Sequence, residues 1–265
     1  MSDRHSRSRL FPGLGDEGVE KIRQSSIAIV GAGAVGAAAA ELAVRSGVGR
    51  LTLVDRDVVE PSNLSRQLLF DERDAEEVAP KAAAAARRLS EIDRTASVRG
   101  VVADLSHENA LELLRGHDVL FDASDNFETR LLVSDAARSL GAISVYAACV
   151  GDEGLVSLSA PGTPCLRCYL EGLPPAGSGP TCDTSGVVPT LPATVAGIAM
   201  TEALRAIAGV PVSGGVLAIR AWDGPWRARR LFEGARPSAG CPACAEGRYP
   251  ALEGEGASDI VKLCG

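Results

Sequence analysis

Apolar and polar positions along the first half of the chain predict strands and helices in turn. A short apolar run over 27–31 leads into an alanine-rich helical stretch at 34–46, and a second run over 51–55 precedes a helix that opens at Pro80. Further patterns of the same kind predict strands at 97–102, 118–122 and 142–148, and helices at 107–115 and 127–140. Strands that alternate with helices form a parallel sheet with helices on both faces. We therefore predict an α/β fold, doubly wound around a mostly parallel sheet.

The pattern changes in the second half of the chain. Residues 154–159 predict another strand, and residues 161–189 form a stretch rich in proline, glycine and cysteine that predicts a long loop. A loop of this length inside a compact domain is usually functional. The remaining predicted elements are a helix at 192–208 and two strands, 215–222 and 226–232, that form a hairpin turning at Asp223-Gly224. This hairpin predicts an antiparallel C-terminal part of the sheet.

Three glycines follow the first predicted strand in the arrangement Gly31-x-Gly33-x-x-Gly36. Gly31 permits a tight turn, Gly33 lets a phosphate approach the backbone, and Gly36 lets the helix pack closely on the strand. Asp55 ends the next strand, where a carboxylate can accept hydrogen bonds from both hydroxyls of a ribose. The alternative is a turn with a structural role only. The glycines and the acid together favour a nucleotide site in a Rossmann-like sheet.

Charged residues follow the second and fourth predicted strands at the same edge of the sheet. Arg66 and Lys81 supply two cations suited to a triphosphate, with a solvated polar loop as the alternative for this segment. Asp125 can hold Mg²⁺ through one carboxylate together with phosphate oxygens. Its alternative role is to cap the next helix, but Asn126 or Ser124 can cap that helix while Asp125 binds the ion.

Four of the seven cysteines form two C-x-x-C pairs, Cys165/Cys168 and Cys241/Cys244. Four thiolates suit a tetrahedral zinc ion, so we predict a structural Zn²⁺ knuckle that fastens the C-terminus to the long loop. Redox cysteines or a labile disulfide are the alternatives.

The other cysteines and the histidines carry weaker signals. Cys182 stands in the long loop ahead of a predicted helix, where a thiol with a lowered pKa can act as a nucleophile, and an ordinary loop cysteine is the alternative. Cys149 lies in an apolar strand and is predicted to be buried. The three histidines, His5, His107 and His117, are predicted to lie at the surface.

Composition narrows the classes of partner. The net charge of −7 and the pI near 5.1 do not indicate the basic surface that is typical of nucleic-acid-binding proteins. The charged N-terminus has no apolar segment that would make it a secretion signal. The most apolar stretch, 191–210, is interrupted by Glu202 and Arg205, so it predicts a core helix and no membrane span. We expect a soluble, cytoplasmic protein.

Taken in order, these motifs resemble the ThiF/MoeB/HesA family, the bacterial relatives of ubiquitin-activating enzymes. The residues that carry the resemblance are Gly31-x-Gly33-x-x-Gly36, Asp55, Asp57, Ser62-Asn63-Leu64-Ser65-Arg66-Gln67, Pro80-Lys81, Ser124-Asp125-Asn126 and the two C-x-x-C pairs. The resemblance spans roughly residues 4–244. Mild departures are Ala34, His5 and Ser8, where the family often has glycine, an aromatic residue and glutamine.

The resemblance implies an adenylyltransferase that binds ATP·Mg²⁺ and adenylates the C-terminal Gly-Gly carboxylate of a small ubiquitin-like sulfur-carrier protein, releasing pyrophosphate. In this interpretation Asp55 holds the ribose, Asp125 holds Mg²⁺, and Asn63, Arg66 and Lys81 contact the phosphates. The full set of nucleotide-binding residues that it implies is Gly31, Gly33, Ala34, Gly36, Asp55, Asp57, Ser62, Asn63, Arg66, Lys81, Asp125 and Asn126.

The resemblance also implies partners. Arg7, in the counterpart of the family's N-terminal arginine motif, would reach into the site of the other subunit of a homodimer. Cys182 matches the cysteine that joins the activated carrier through a sulfur linkage in ThiF-like members. Since no sulfurtransferase domain follows Cys244, we expect a separate sulfur donor, either a sulfurtransferase or a cysteine desulfurase.

These expectations divide the chain into an arm at 1–17 that reaches the dimer partner, a single adenylation domain at 18–247 and a tail at 248–265. Within the domain we expect a nucleotide-binding part at 27–150, a crossover loop at 161–189 and a C-terminal part with the zinc knuckle at 190–247. Three rival functions remain at this point: ATP-dependent activation of a tRNA base or a peptide, an NAD-dependent Rossmann oxidoreductase, and a non-catalytic scaffold subunit.

Overall fold

The strands form one mixed sheet. The computed structural model describes residues 3–170 and 185–255. Its strands are β1 (Ser26–Val30), β2 (Arg50–Asp55), β3 (Ser97–Val102), β4 (Val119–Asp122), β5 (Ile143–Val150), β6 (Glu153–Ser159), β7 (Val216–Arg220) and β8 (Arg227–Leu231). Their spatial order is β3-β2-β1-β4-β5-β6-β7-β8. The pairs among β3, β2, β1, β4 and β5 are parallel, whereas β6, β7 and β8 pair antiparallel. The predicted mostly parallel sheet with an antiparallel C-terminal part is confirmed.

Helices cover both faces of this sheet. The helices of the described residues are α1 (Ser6–Arg9), α2 (Gly15–Gln24), α3 (Ala34–Ser46), α4 (Glu72–Glu76), α5 (Lys81–Ile92), α6 (Ala110–Leu114), α7 (Phe127–Leu140) and α8 (Leu191–Ile207). In β1, Ile27 and Ile29 join the cluster beneath α3, α5 and α8, while Ala28 and Val30 join the cluster beneath α6 and α7. A strand buried on both faces is continuously apolar, which is the pattern that its sequence shows.

The strand order places a crevice at the carboxyl end of β1. From β1 the chain crosses to β2 on one side, and β4 pairs with β1 on the other side. At such a reversal the connections that leave the two neighbouring strands diverge to opposite faces of the sheet, and ligands of open α/β sheets bind in the resulting gap. The fold therefore brings the ends of β1, β2 and β4 to one edge, as the sequence predicted.

The N-terminal segment packs against the rest of the chain. Its predicted range of 1–17 contains α1 and the start of α2, so it is partly helical. Arg4 forms an ion pair of 2.6 Å with Asp93, and Arg9 pairs with Asp3 at 2.6 Å. The Arg7 side chain is exposed. Over the described ranges, no helix combines the length and apolar character needed to cross a bilayer.

Candidate active site

Each of the three glycines after β1 has a different steric role. Gly31 has a φ of +90°, and a Cβ there would lie 2.7 Å from the Ala123 carbonyl oxygen. A Cβ on Gly36 would lie 1.8 Å from the Gly31 carbonyl oxygen, so only glycine lets α3 approach the turn this closely. At Gly33 a Cβ would meet no atom within 4 Å. The turn is thus closed on the protein side and open where a phosphate would approach.

A cavity of about 390 Å³ opens at this edge of the sheet. That volume lies within the usual range for small-molecule sites. The predicted nucleotide-binding residues that line it are Gly31, Gly33, Ala34, Asp55, Asp57, Arg66, Lys81, Asp125 and Asn126. The tertiary structure therefore brings together residues from five separate parts of the sequence.

Asp55 is held rigidly at the end of β2. Its Oδ2 accepts the Ala32 N–H at 2.6 Å and its Oδ1 accepts the Asp57 N–H at 2.7 Å. Burial raises the pKa of the Asp55 carboxyl, while these two backbone donors lower it. Because each carboxylate oxygen has two lone pairs, both can still accept a ribose hydroxyl.

Two cations line the cavity beside Asp55. The backbone N–H of Lys81 donates to the Asp57 carbonyl at 2.9 Å, which fixes the start of α5 against the end of β2. The Lys81 side chain is only 3% exposed, and its Nζ lies 3.5 Å from Asp57 Oδ2. Arg66 is half-buried and donates from Nη1 to the Ser62 carbonyl at 3.0 Å. Among the described residues, this buried ammonium forms its ion pair with Asp57, and its charge also acts on Asp55. A cation in this position is well suited to a further anionic ligand.

The polar residues that follow β4 serve both helix capping and the cavity. Asn126 Oδ1 accepts the Thr129 N–H at 2.8 Å and caps α7. Asp125 lines the cavity, where its Oδ1 accepts a hydrogen bond from Asn126 Nδ2 at 3.2 Å. Carboxylate oxygen is the donor that Mg²⁺ prefers, so this position fits the ion when phosphate oxygens supply further ligands.

Several predicted residues do not line the cavity. Ser62 is exposed, and Asn63 is buried in a 3₁₀ turn, where its Oδ1 accepts the Glu60 N–H at 3.1 Å. Gly36 acts through helix packing, and Arg7 lies on the N-terminal segment. Cys182 falls outside the described residues. The phosphate contacts of Ser62 and Asn63, the partner contact of Arg7 and the role of Cys182 remain predictions.

The sequence analysis missed a cluster formed by the first turn of α7 and a tyrosine of β5. Arg130, Phe127 and Tyr146 all line the cavity, and the guanidinium carbon of Arg130 lies 5.0 Å from the Phe127 ring centroid and 5.3 Å from that of Tyr146. Helical spacing from Asn126 could have placed Arg130 near the cavity, because residues four apart share one helix face. The ring of Tyr146 comes from β5, and no local pattern indicates that contact.

Two minor predictions need correction. Cys149 is half-buried and lines the cavity, so it is not simply a core residue. His117 is half-buried, with Nε2 3.0 Å from Thr52 Oγ1 and Nδ1 3.0 Å from the Leu114 carbonyl oxygen. Burial lowers the pKa of this imidazole. The tertiary fold brings Thr52 of β2 beside His117, which the sequence alone did not reveal.

The four cysteines of the two C-x-x-C pairs meet in one cluster. Their Sγ atoms all lie within 4.8 Å of one another, with 3.5 Å between Cys165 and Cys241 and 3.7 Å between Cys168 and Cys244. A disulfide would need about 2.05 Å. Four thiolates around one Zn²⁺, each about 2.3 Å from the metal, stand apart by distances of this size. The geometry fits a tetrahedral zinc site and argues against the disulfide alternative.

A buried ion pair ties this cluster to α7. Arg167 donates to both oxygens of Asp135 on α7, at 2.9 Å and 2.8 Å. Asp135 is fully buried and also accepts the Ala251 N–H at 2.9 Å. The cysteine cluster, α7 and the segment after the second cysteine pair are therefore joined at one carboxylate.

Comparisons with known proteins agree with this architecture. The model of the ThiF family matches residues 5–243. The sulfur carrier protein ThiS adenylyltransferase of Bacillus subtilis is 42% identical over 271 residues, which cover 100% of this chain and 78% of the relative. The sulfur carrier protein adenylyltransferase of Thermus thermophilus is 38% identical over 252 residues, which cover 92% of this chain and 91% of the relative.

Other relatives are longer or more distant. The mouse adenylyltransferase and sulfurtransferase MOCS3 is 38% identical, over 92% of this chain and 52% of that protein. Among solved structures, E. coli MccB with succinimide superposes with a TM-score of 0.78 at 18% identity, covering 92% of this chain and 74% of the other. The MccB likeness concerns the fold alone. Because the family model matches residues 5–243 of this chain and relatives are 38–42% identical to it, the chain belongs to the ThiF family.

Proposed function

We propose that the protein is an adenylyltransferase that uses ATP to adenylate the C-terminal Gly-Gly carboxylate of a small ubiquitin-like sulfur-carrier protein. The reaction releases pyrophosphate and prepares the carrier for thiocarboxylate formation. Relatives that match most of this chain are adenylyltransferases of sulfur carrier proteins. Family membership also argues against the NAD-dependent oxidoreductase alternative.

The observation that carries this proposal is the order of groups along the cavity. Asp55 follows β2, the glycine turn follows β1, and Asp125 follows β4, and these three strands are neighbours in the order β2-β1-β4. A nucleotide with its ribose on Asp55 would therefore lay its phosphates over the glycine turn, beside Lys81 and Arg66, and extend toward Asp125.

The chemistry follows from this arrangement of charge. A carboxylate that attacks the α-phosphate is repelled by the negative triphosphate, and the cations Lys81 and Arg66 reduce this repulsion as charge moves onto the leaving pyrophosphate. Asp125 would hold Mg²⁺, which neutralises further phosphate charge when bound. The nucleophile is already ionised, so the reaction requires no general base.

Further parts of the proposal concern cofactors and partners. Cys165, Cys168, Cys241 and Cys244 would hold a structural Zn²⁺. The protein would work as a homodimer in the cytoplasm, with Arg7 contributing to the partner's site and with a separate sulfurtransferase or cysteine desulfurase as sulfur donor. Cys182 would join the activated carrier through sulfur.

ATP–pyrophosphate exchange tests the proposed function. Exchange should require both Mg²⁺ and a ubiquitin-like carrier that ends in Gly-Gly, and Asp125→Asn should lower its rate by at least about 100-fold, in the range typical for removing one electrostatic stabiliser. The matched control is Glu108→Gln, which removes an exposed carboxylate outside the cavity and should leave the rate unchanged.

Other outcomes distinguish the alternatives. Exchange that depends on a peptide or on tRNA, and not on any carrier, would keep the ATP chemistry and replace the acceptor. Tight NAD binding without ATP binding would favour the oxidoreductase, and ATP binding without exchange for any acceptor would favour a scaffold subunit.

A further inference from the structure

Gln67 is a buried glutamine in the wall of the cavity. It follows Arg66 in the segment between β2 and α4, and both residues line the cavity. Gln67 is only 2% exposed, and its Oε1 is buried without a hydrogen-bond partner within residues 3–170 and 185–255. Buried polar atoms are almost always satisfied, and an unmet one lowers stability. An unmet amide in the wall of a cavity therefore indicates a ligand.

Hydrogen bonds hold the backbone of Gln67 in place. Its N–H donates to the Asn63 carbonyl at 2.9 Å, and its carbonyl accepts the Phe70 N–H at 3.4 Å. Phe70 and Leu69 belong to the buried cluster beneath α3, α5 and α8. In the described ranges no hydrogen bond of Oε1 sets the direction of the Gln67 amide. The side chain is thus fixed at its base, and its end can turn to meet a ligand.

The surroundings of Gln67 favour an anionic ligand. Arg66 and Lys81 line the same cavity, and Val35 in the first turn of α3 belongs to the same buried cluster as Phe70. The first turn of α3 contains no acidic residue and no side chain caps it, so its backbone N–H groups are open to an anion. The oxygens of ionised phosphates accept hydrogen bonds and donate none. The end of the amide that suits them is therefore Nε2.

Asn63 shows how an amide with a structural role behaves in the same segment. Its Oδ1 accepts the Glu60 N–H at 3.1 Å, and its Nδ2 donates to Ser62 Oγ at 3.4 Å. A glutamine that supported this turn would likewise use its oxygen within the protein. Gln67 Oε1 makes no such contact within the described part of the chain. Support of the turn therefore does not account for the polar end of Gln67.

We propose that Gln67 binds a phosphate group of ATP by donating from Nε2 to one of its oxygens. This inference rests on the proposed function. The cations Arg66 and Lys81 neutralise phosphate charge, whereas a neutral amide adds a donor of fixed direction and no charge. The contact therefore serves to orient the phosphate chain between the cations. The unmet oxygen lowers the stability of the protein without nucleotide, and the amide nitrogen strengthens ATP binding.

Calorimetry with two ligands tests this contact. The affinities of ATP and of adenosine, which has no phosphates, are measured in buffer with Mg²⁺ for wild type, Gln67→Met and Gln67→Glu. Gln67→Met should lower the affinity for ATP about 10-fold, as expected for loss of a hydrogen bond to a charged group, and keep the affinity for adenosine. Gln67→Glu keeps the shape of the side chain and places a negative charge beside the phosphates. It should lower the affinity for ATP further.

Thermal unfolding separates the contact from damage to the fold. Without nucleotide, Gln67→Met should unfold at the wild-type temperature or higher, because methionine is unbranched, of similar length, and removes the unmet oxygen. The rise in unfolding temperature that ATP causes should be smaller than in wild type. Gln24→Met is the matched control. Gln24 is exposed on α2 outside the cavity, where its Nε2 donates to Glu20 Oε1 at 2.7 Å, so this variant should keep its ATP affinity.

Each contrary result has a separate meaning. Unchanged ATP affinity in both Gln67 variants, or an equal loss of affinity for ATP and adenosine, would overturn the phosphate contact and leave the proposed function intact. If Gln67→Met does not fold, the comparison of the two ligands on Gln67→Glu decides the question. A wild-type protein that binds no ATP would overturn both the contact and the proposed function.

Discussion

Replacing Gly36 with alanine should destabilise the whole nucleotide-binding part of the sheet. The added Cβ would lie 1.8 Å from the Gly31 carbonyl oxygen, 2.9 Å from the Gly31 carbonyl carbon and 3.2 Å from Ala123 Cβ. The two nearest atoms belong to the backbone, so no change of rotamer can relieve the overlap. The start of α3 must instead move away from the turn.

The size of this movement sets the expected cost. Restoring an ordinary carbon–oxygen separation requires α3 to withdraw by about 1.5 Å. Eight residues of α3 are buried, among them Ala37, Ala39 and Ala40 with no exposed surface, and each would lose close contacts. Overpacking of a core costs about 1–3 kcal/mol and sometimes more, and a clash with backbone belongs at the upper end. We expect a loss of about 3 kcal/mol, equivalent to a fall of roughly 6–12 °C in the unfolding temperature.

Gly33→Ala is the matched control, because it places the same methyl group two residues after the Gly31 turn. That Cβ meets no atom within 4 Å, and the φ of −72° at Gly33 suits alanine. The change at this N-cap position should cost less than about 1 kcal/mol. Because Gly33 lines the cavity, the methyl group should instead weaken ATP binding by at least about 10-fold.

The assay pairs thermal unfolding with nucleotide-binding calorimetry on both variants. We expect the two variants to differ in which property changes. Gly36→Ala lowers stability, whereas Gly33→Ala retains stability and loses ATP affinity. A Gly36→Ala protein with the unfolding temperature of wild type would refute the packing argument. Unchanged ATP affinity in Gly33→Ala would refute the position assigned to the phosphates.

Three further predictions concern the cysteine cluster, the ion pair of Arg167 with Asp135, and Asp122, the last residue of β4. Cys165→Ser should release Zn²⁺ and lower the unfolding temperature, measured by metal analysis and thermal scans; full retention of zinc would contradict a four-thiolate site. Arg167→Met leaves the carboxylate of Asp135 buried without its cation and should cost about 3–5 kcal/mol in urea unfolding, and adding Asp135→Asn should restore part of the loss. Burial raises the pKa of Asp122 from 3.8 to about 6, so the folded protein binds the carboxyl proton more tightly than the unfolded chain does. The resulting contribution to the free energy of unfolding is present below about pH 4 and lost as the pH rises to 6. Asp122→Asn should therefore be more stable than wild type above pH 6 and equal to it below pH 4, and a difference independent of pH would contradict this.

Part of the site was readable from the sequence because its signals are local. The glycine turn and Asp55 depend on the spacing of a few residues next to a strand, and the periodic pattern after the turn defines α3 over Ala34–Ser46. The alternation of strands and helices then places the ends of β1, β2 and β4 at one edge, since parallel strands joined by helices leave the sheet in the same direction.

Other parts depended on contacts between distant segments. Asn63 belongs to a motif that the resemblance links to phosphate contacts, and only the structure shows that it is buried in a turn, where its Oδ1 accepts the Glu60 N–H. Its phosphate contact stays a prediction. The environment of Arg130 requires the ring of Tyr146 from β5. Spacing within a helix can show which face a residue occupies, but not which strand packs against that face.

The sequence by itself determined the class of fold and predicted the glycine turn, the acid at the end of β2 and the four cysteines as candidate metal ligands. Each of these rests on residue type and short-range spacing, which physical chemistry restricts to a few structures. Only the tertiary structure decided that the two cysteine pairs meet within 4.8 Å and that Arg130 lines the cavity between the rings of Phe127 and Tyr146. These features arise when segments far apart in the chain pack together, and local periodicity carries no information about that packing.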